Sequence, residues 1–124
     1  MSFNIYKENI LDLYKNPHNN GILKSPTHEG IKNNSFCGDK IKIQLVIKNN
    51  RIKKISFFGD GCAISTASAS LFTDKIKEMN LEDAKKISEK DILKMLNIPI
   101  SESRIKCVLL PLDAFKEAIR NVRN

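Results

Sequence analysis

Phe58-Gly59-Asp60-Gly61-Cys62-Ala63-Ile64-Ser65-Thr66-Ala67-Ser68-Ala69-Ser70 decides how this chain folds. An apolar run ends in two glycines and a cysteine, and small residues at helical spacing follow. The reading is a strand, a tight turn and a helix. Gly59 and Gly61 allow the backbone angles such a turn needs. Cys62 then stands at or just before the first helical turn, facing unpaired N–H groups and the positive end of the helix dipole. That environment favours the thiolate, the form that attacks sulfur and binds metal. Alone, Cys62 reads first as a small buried apolar residue; two further cysteines change the balance.

Upstream, Ile41, Ile43, Leu45 and Ile47 alternate with Lys42, Gln44 and Lys48, the pattern of a half-buried strand. Asn49-Asn50 marks a turn, and a second strand runs from Arg51 or Ile52 to Phe58. A two-residue loop would set Leu45 against Lys54. A three-residue loop over Asn49–Arg51 sets Leu45 against Ile55 and Ile43 against Phe57, and this register with a bulge is preferred because it matches apolar faces.

Downstream the pattern is helical. A first helix covers about Ala63–Met79, with Ile64, Ala67, Leu71, Phe72, Ile76 and Met79 inward. Asn80 caps a short helix over Leu81–Lys86. Ser88-Glu89-Lys90-Asp91 resembles a capping box before Ile92–Leu96, and Pro99 ends that run. A last helix runs from near Ile105 to near Arg123, with Val108, Leu112, Phe115, Ile119 and Val122 as its buried stripe. Pro111 either kinks this helix or belongs to its opening turns. Toward the N-terminus, Phe3, Tyr6, Ile10 and Leu13 predict an amphipathic helix over 3–15, ended by Asn16-Pro17. Residues 17–35 read mostly as loop, with a short strand near Ile31–Phe36. Strands first and helices after make the fold α+β: an N-terminal helix, a small antiparallel sheet of two to three strands, then helices packed on one face.

The 124 residues, 41% hydrophobic and 28% charged, suit one domain with its own core. No apolar run approaches the roughly 20 residues of a membrane helix, and Lys7 and Glu8 interrupt any signal-peptide pattern. The expectation is a cytoplasmic protein without a membrane partner. The net charge of +7 raises nucleic acid as a partner. The basic residues are scattered, however, with no Trp and no aromatic-interleaved basic patch, and lysine-rich solvated faces or docking to an acidic protein partner explain the charge equally well. Three cysteines in such a chain argue for metal binding or thiol chemistry over a disulfide framework.

The reactive candidates are Cys37, Asp39, Cys62 and Cys107. Cys37-Gly38-Asp39 lies at the mouth of the first long strand and Cys62 closes the second. Antiparallel pairing therefore puts Cys37 and Cys62 at one end of the sheet. Cys107 opens the last helix, and local pattern does not say which corner it reaches. Three sulfurs and one oxygen would suit Zn²⁺ or an iron–sulfur cluster. A structural zinc site would use only Cys and His. The harder carboxylate would be the ligand most easily displaced, so the set suggests a site that takes something in and gives it up. Arg104 and Lys106 flank Cys107, as thiolate stabilisers, a docking surface, or simply a solvated basic face. His18 and His28 fall in the loop region and are assigned to no metal.

Taken together these residues resemble the U-type iron–sulfur assembly proteins, the IscU/SufU/NifU-like family. Asn16-Pro17-His18-Asn19-Asn20-Gly21 resembles its N-terminal Asn-Pro motif. Cys37-Gly38-Asp39, Gly61-Cys62-Ala63-Ile64-Ser65-Thr66-Ala67-Ser68 and Arg104-Ile105-Lys106-Cys107 resemble its three ligand motifs. The resemblance implies a protein that accepts persulfide sulfur from a pyridoxal-phosphate cysteine desulfurase. It then holds a transient [2Fe–2S] cluster, or zinc, on Cys37, Asp39, Cys62 and Cys107, and passes cargo to downstream acceptor or carrier proteins. Cys37 and Cys107 are the implied candidates for the first sulfur acceptor, with Cys37 preferred.

Two branches match different features. Isc-type scaffolds carry His before the third cysteine, where this chain has Lys106. They also carry a Leu-Pro-Pro-Val-Lys motif, where this chain has Ile98-Pro99-Ile100-Ser101-Glu102-Ser103. The ligand motifs are closest to the SufU type, whose members bind zinc and act as sulfur acceptors. SufU proteins, though, carry an insertion before the third cysteine, and the 45 positions from Cys62 to Cys107 leave no room for it. A zinc-dependent sulfurtransferase without scaffold activity is therefore the alternative reading. A zinc-stabilised basic binding module is a further one. A cysteine hydrolase would need a general base that neither histidine is placed to supply.

Overall fold

The computed structural model of the chain describes residues 3–35 and 38–121, with side chains from residue 9 onward. In chain order the elements are α1 (Phe3–Lys15), β1 (His28–Asn34), β2 (Asp39–Lys48), β3 (Arg51–Asp60), α2 (Ala63–Ile76), α3 (Leu81–Lys85), α4 (Glu89–Leu96) and α5 (Glu102–Arg120). The strands form one antiparallel sheet in the order β1-β2-β3. This is the α+β architecture expected from the sequence, with three strands.

The hairpin is built on hydrophobic matching. Leu45 pairs with Ile55 and Ile43 with Phe57, the register read from the sequence. The turn differs from the expected three-residue loop. Lys48 pairs with Arg51 across a two-residue turn, and Asn49 and Asn50 both take positive φ, 53° and 60°. Asparagine tolerates that conformation, and such turns match the twist of paired strands. The extra residue enters further along as a bulge. Val46 pairs with Lys54 and Ile47 with Ile52, so Lys53 has no opposite number.

β1 starts at His28, three residues before the position expected, and ends at Asn34 instead of running to Phe36, which lies outside the described residues. The sequence conceals it because Gly30 occupies an inward position without a side chain. The partner strand supplies the order: His28 pairs with Leu45 and Gly30 with Ile43. Inward, Ile41, Ile43, Leu45, Ile55 and Phe57 form a buried wall. α2 and α5 pack on it side by side. Phe72 and Phe115 meet edge to face at 5.5 Å, and Ser68 Oγ donates to the Val108 carbonyl at 2.6 Å. α1 packs on α2, with Ile10 and Leu13 in the core.

Three helix boundaries depart from expectation. α2 ends at Ile76, short of Met79, because Glu78 turns to φ 66° and the chain pairs with the hairpin. Glu78 N–H donates to the Ile52 carbonyl at 2.8 Å, and Ile52 N–H to that of Met79 at 3.0 Å. α5 begins at Glu102 rather than near Ile105 and ends at Arg120; Val122 lies outside the described residues. Pro111 therefore sits well inside the helix, past its opening turn. α3 and α4 begin where their caps predict. Asn80 accepts from Glu82 N–H, and Ser88 and Asp91 form a reciprocal capping box. No helix among the described residues is long and apolar enough to cross a membrane.

α5 lies directly on β1. A Cβ added at Gly30 would sit 2.2 Å from Ala118 N and 2.5 Å from the Ala114 carbonyl oxygen, backbone atoms that cannot swing aside. Gly30→Ala should therefore lift α5 off the sheet and lower stability by roughly 1–3 kcal/mol in urea unfolding. An unchanged unfolding midpoint would show that this contact is absent in solution.

Candidate metal centre

The strand-to-helix turn at Cys62 has the form the sequence predicts. Cys62 is the N-cap of α2, in an extended conformation (φ −72°, ψ 174°), and its Sγ accepts the Ser65 N–H at 3.4 Å. The thiol thus takes the place of the capping hydroxyl or carboxylate usual at a helix start. It is half-buried, open to the surface on one side. Gly59 takes φ +141°, and a Cβ there would lie 2.1 Å from the Lys40 carbonyl oxygen. Gly61 serves for space instead of backbone angle, because a Cβ would sit 2.5 Å from Ser65 Oγ.

Asp39 opens β2. It is 6% exposed, and its Oδ2 has no hydrogen-bond partner among the described residues. Cys107 is buried on α5. It does not open the helix as the sequence suggested, because α5 starts at Glu102 and Cys107 lies in its second turn. The three elements bring these side chains together. One Asp39 oxygen, Cys62 Sγ and Cys107 Sγ all lie within 4.8 Å of one another. Cys37 lies outside the described residues.

The two flanking cations part company. Arg104 is exposed and lines a groove of about 400 Å³ with Cys62, Ile64, Ile98, Pro99 and Ile100. Its guanidinium is held above its ordinary value, first by a hydrogen bond to Cys107 and then by the charge of Cys62. Lys106, one residue before the buried sulfur, lines a separate groove with Lys32, Asn33, Asn34, Ser35 and Asp113. Helical geometry is the reason: neighbours in sequence point about 100° apart.

Neither histidine enters the group. His18 Nδ1 lies 2.6 Å from Asp74 Oδ2, and His28 Nδ1 lies 2.8 Å from Thr27 Oγ1. The Asn-Pro segment instead braces the turn. Asn19 gives its amide to Thr73 Oγ1 and Asp74 Oδ1, both at 2.9 Å, while its carbonyl accepts the Phe57 N–H at 3.0 Å. It ties β3 to α2, the two elements that meet at Cys62. Sequence reasoning missed Asn34, whose Nδ2 donates to Cys107 Sγ at 3.8 Å. Its only signal was its place three residues before Cys37.

The model of the NifU-like N terminal domain matches residues 5–124. The iron–sulfur cluster assembly protein IscU of Plasmodium falciparum is 38% identical over 121 residues, covering 95% of this chain and 74% of the relative. The scaffold protein IscU of Rickettsia prowazekii is 37% identical over 124 residues, covering 95% and 92%. The zinc-dependent sulfurtransferase SufU of Bacillus subtilis is 31% identical, covering 96% and 95%. That last alignment runs over 141 positions, more than this chain possesses, so SufU carries residues absent here. Among solved structures, a protein described as an iron–sulfur cluster assembly scaffold for the SUF system, from Fervidobacterium islandicum, superposes with a TM-score of 0.76 at 25% identity. It covers 96% of this chain and 99% of its own. The match of nearly the whole sequence, together with relatives above 30% identity over most of their length, establishes that this chain belongs to the NifU-like N-terminal domain family.

Proposed function

We propose that this protein is an iron–sulfur cluster assembly scaffold that accepts persulfide sulfur from a cysteine desulfurase. Its 124 residues would act as one cytoplasmic unit that holds a [2Fe–2S] cluster in transit, or zinc, on Cys37, Asp39, Cys62 and Cys107. The observation that carries this is the convergence of Asp39, Cys62 and Cys107 within 4.8 Å. Family membership and the IscU and SufU relatives support it. A buried carboxylate oxygen without a donor is costly, and a cation between two sulfurs would satisfy it. Sulfur-rich donors suit Zn²⁺, at about 2.3 Å from each sulfur, or iron. Loading would be a thiol–persulfide exchange. A cysteine thiolate attacks the outer sulfur of the desulfurase persulfide, the S–S bond breaks, and the desulfurase thiolate leaves. No outside oxidant is needed. Cys37 or Cys107 is the proposed acceptor, and Arg104 lines the same groove as Cys62.

The zinc-dependent sulfurtransferase role is the second reading. The SufU relative and Lys106 in place of histidine favour it, while the missing insertion favours the scaffold. A module held together by zinc is disfavoured, because an apolar core that includes Ile43, Leu45, Phe57, Phe72 and Phe115, and none of the candidate ligands, joins the sheet to the helices.

Anaerobic purification with elemental analysis separates the roles. Iron with acid-labile sulfide is expected of the scaffold, and one zinc per chain of the sulfurtransferase. After incubation with the cognate desulfurase and cysteine, mass spectrometry should find persulfide on the wild type and lose it in Cys37→Ser or Cys107→Ser. A wild type that takes up no sulfur would refute the proposal. Asp39→Ala should weaken metal retention, yet stabilise the chelator-treated protein by about 1–3 kcal/mol, because the buried Oδ2 that has no donor among the described residues is gone. A lower thermal midpoint for the metal-free variant would contradict the cost assigned to that oxygen.

A further inference from the structure

Asn34 ends β1 and stands opposite Asp39 in the β1–β2 register, at the corner where α5 passes over the sheet. It is 7% exposed, an unusual place for an amide unless hydrogen-bonded. Its backbone is held on both sides, by the strand and by Gly38 N–H donating to its carbonyl at 2.8 Å. The side-chain N–H therefore reaches Cys107 Sγ, 73 positions away in sequence, from a fixed platform. Cys62 Sγ likewise receives an N–H, from Ser65. Asp39 Oδ2 receives none among the described residues. An N–H donated to a metal-bound thiolate fixes the sulfur's direction and draws charge from it; such outer partners tune metal sites.

We propose that Asn34 is a positioning residue for the metal centre. Its amide aims Cys107 Sγ at the point shared with Asp39 and Cys62 and disperses the charge on that sulfur once metal is bound. Each of the two sulfurs thereby receives a donor, while Asp39 Oδ2 receives none among the described residues. This inference rests on the metal-site reading above.

The test is Co²⁺ titration of the whole chain, wild type and Asn34 variants, followed by chelator competition and by the thiolate-to-cobalt charge-transfer band. Asn34→Leu, similar in size with no donor, should lower cobalt affinity by about 10–100-fold. It should also move the band to longer wavelength, because a thiolate without its N–H gives up charge more readily. Asn34→Asp, similar in shape and ionised, should do the same, and Asn34→Ser, with a shorter O–H donor, should recover part of both. Circular dichroism of the metal-free variants reports whether each folds. Folded variants with an unmoved band overturn the inference, even if affinity falls, since a merely structural role would leave the sulfur's electronics alone. If Leu does not fold, the Asp and Ser variants decide by the same band. A wild type that binds no cobalt is a separate result: it removes the metal-site reading, and the inference with it.

Discussion

The backbone of α5 rests on the backbone of β1, at a point where there is no room for even a methyl group. Gly30 makes this approach possible, with Ala114 and Ala118 as the facing residues. The rest of the site follows from it. With α5 held at that distance from the sheet, Cys107 comes beside Asp39, the first residue of the neighbouring strand. α2 is held against α5 by the Phe72–Phe115 contact and the Ser68–Val108 hydrogen bond, so Cys62, at its N-cap, reaches the same corner. Three separate elements thus deliver one candidate ligand each. None could move by an ångström without pressing on the packed wall behind it.

That wall also explains how the fold tolerates a poorly placed charge. A fully buried Ile, Leu or Phe contributes roughly 1.5–3 kcal/mol, and Ile41, Ile43, Leu45, Phe57, Phe72 and Phe115 are all buried here. A carboxylate oxygen stranded without a donor costs about 1–3 kcal/mol. Among the described residues nothing donates to the Asp39 Oδ2 oxygen, so none of them competes there with a cation. The sulfurs are treated differently. Each has an N–H donor, and an exposed guanidinium lies beside them. Arg104 itself stays in solvent, so its charge is screened and adds no buried ion.

Much of the fold was legible because its signals are local. The apolar alternation of β2 and β3 specifies a register, since one slipped residue would turn every side chain to the wrong face. Asn80, and Ser88 with Asp91, announce helix starts through side chains that satisfy N–H groups two or three residues on. The Gly-Cys turn is legible for the same reason, since the cap and its partner Ser65 are three positions apart. Two of the misreadings lie where a distant partner decides. β1 is hidden by a glycine whose role is to admit α5. α2 stops where residues 78–81 find the hairpin instead of the next helical turn. The hairpin loop is shorter than expected because the expected bulge falls at Lys53, inside the strand, and absorbs the spare residue there.

Of the candidate site, sequence alone determined which side chains could bind or attack. It also determined that Cys62 caps a helix, because both statements concern neighbours within a few positions. It could not determine that Cys107 reaches Asp39, that Arg104 faces the sulfurs while Lys106 turns away, or that Asn34 touches Cys107 at all. Those depend on where α5 crosses the sheet, and that crossing is set by the close contact of Gly30 with Ala114 and Ala118. Two stretches more than eighty residues apart carry no mutual signal in the string. Only the packed core, by leaving a single distance at which helix and strand can meet, decides what stands beside what.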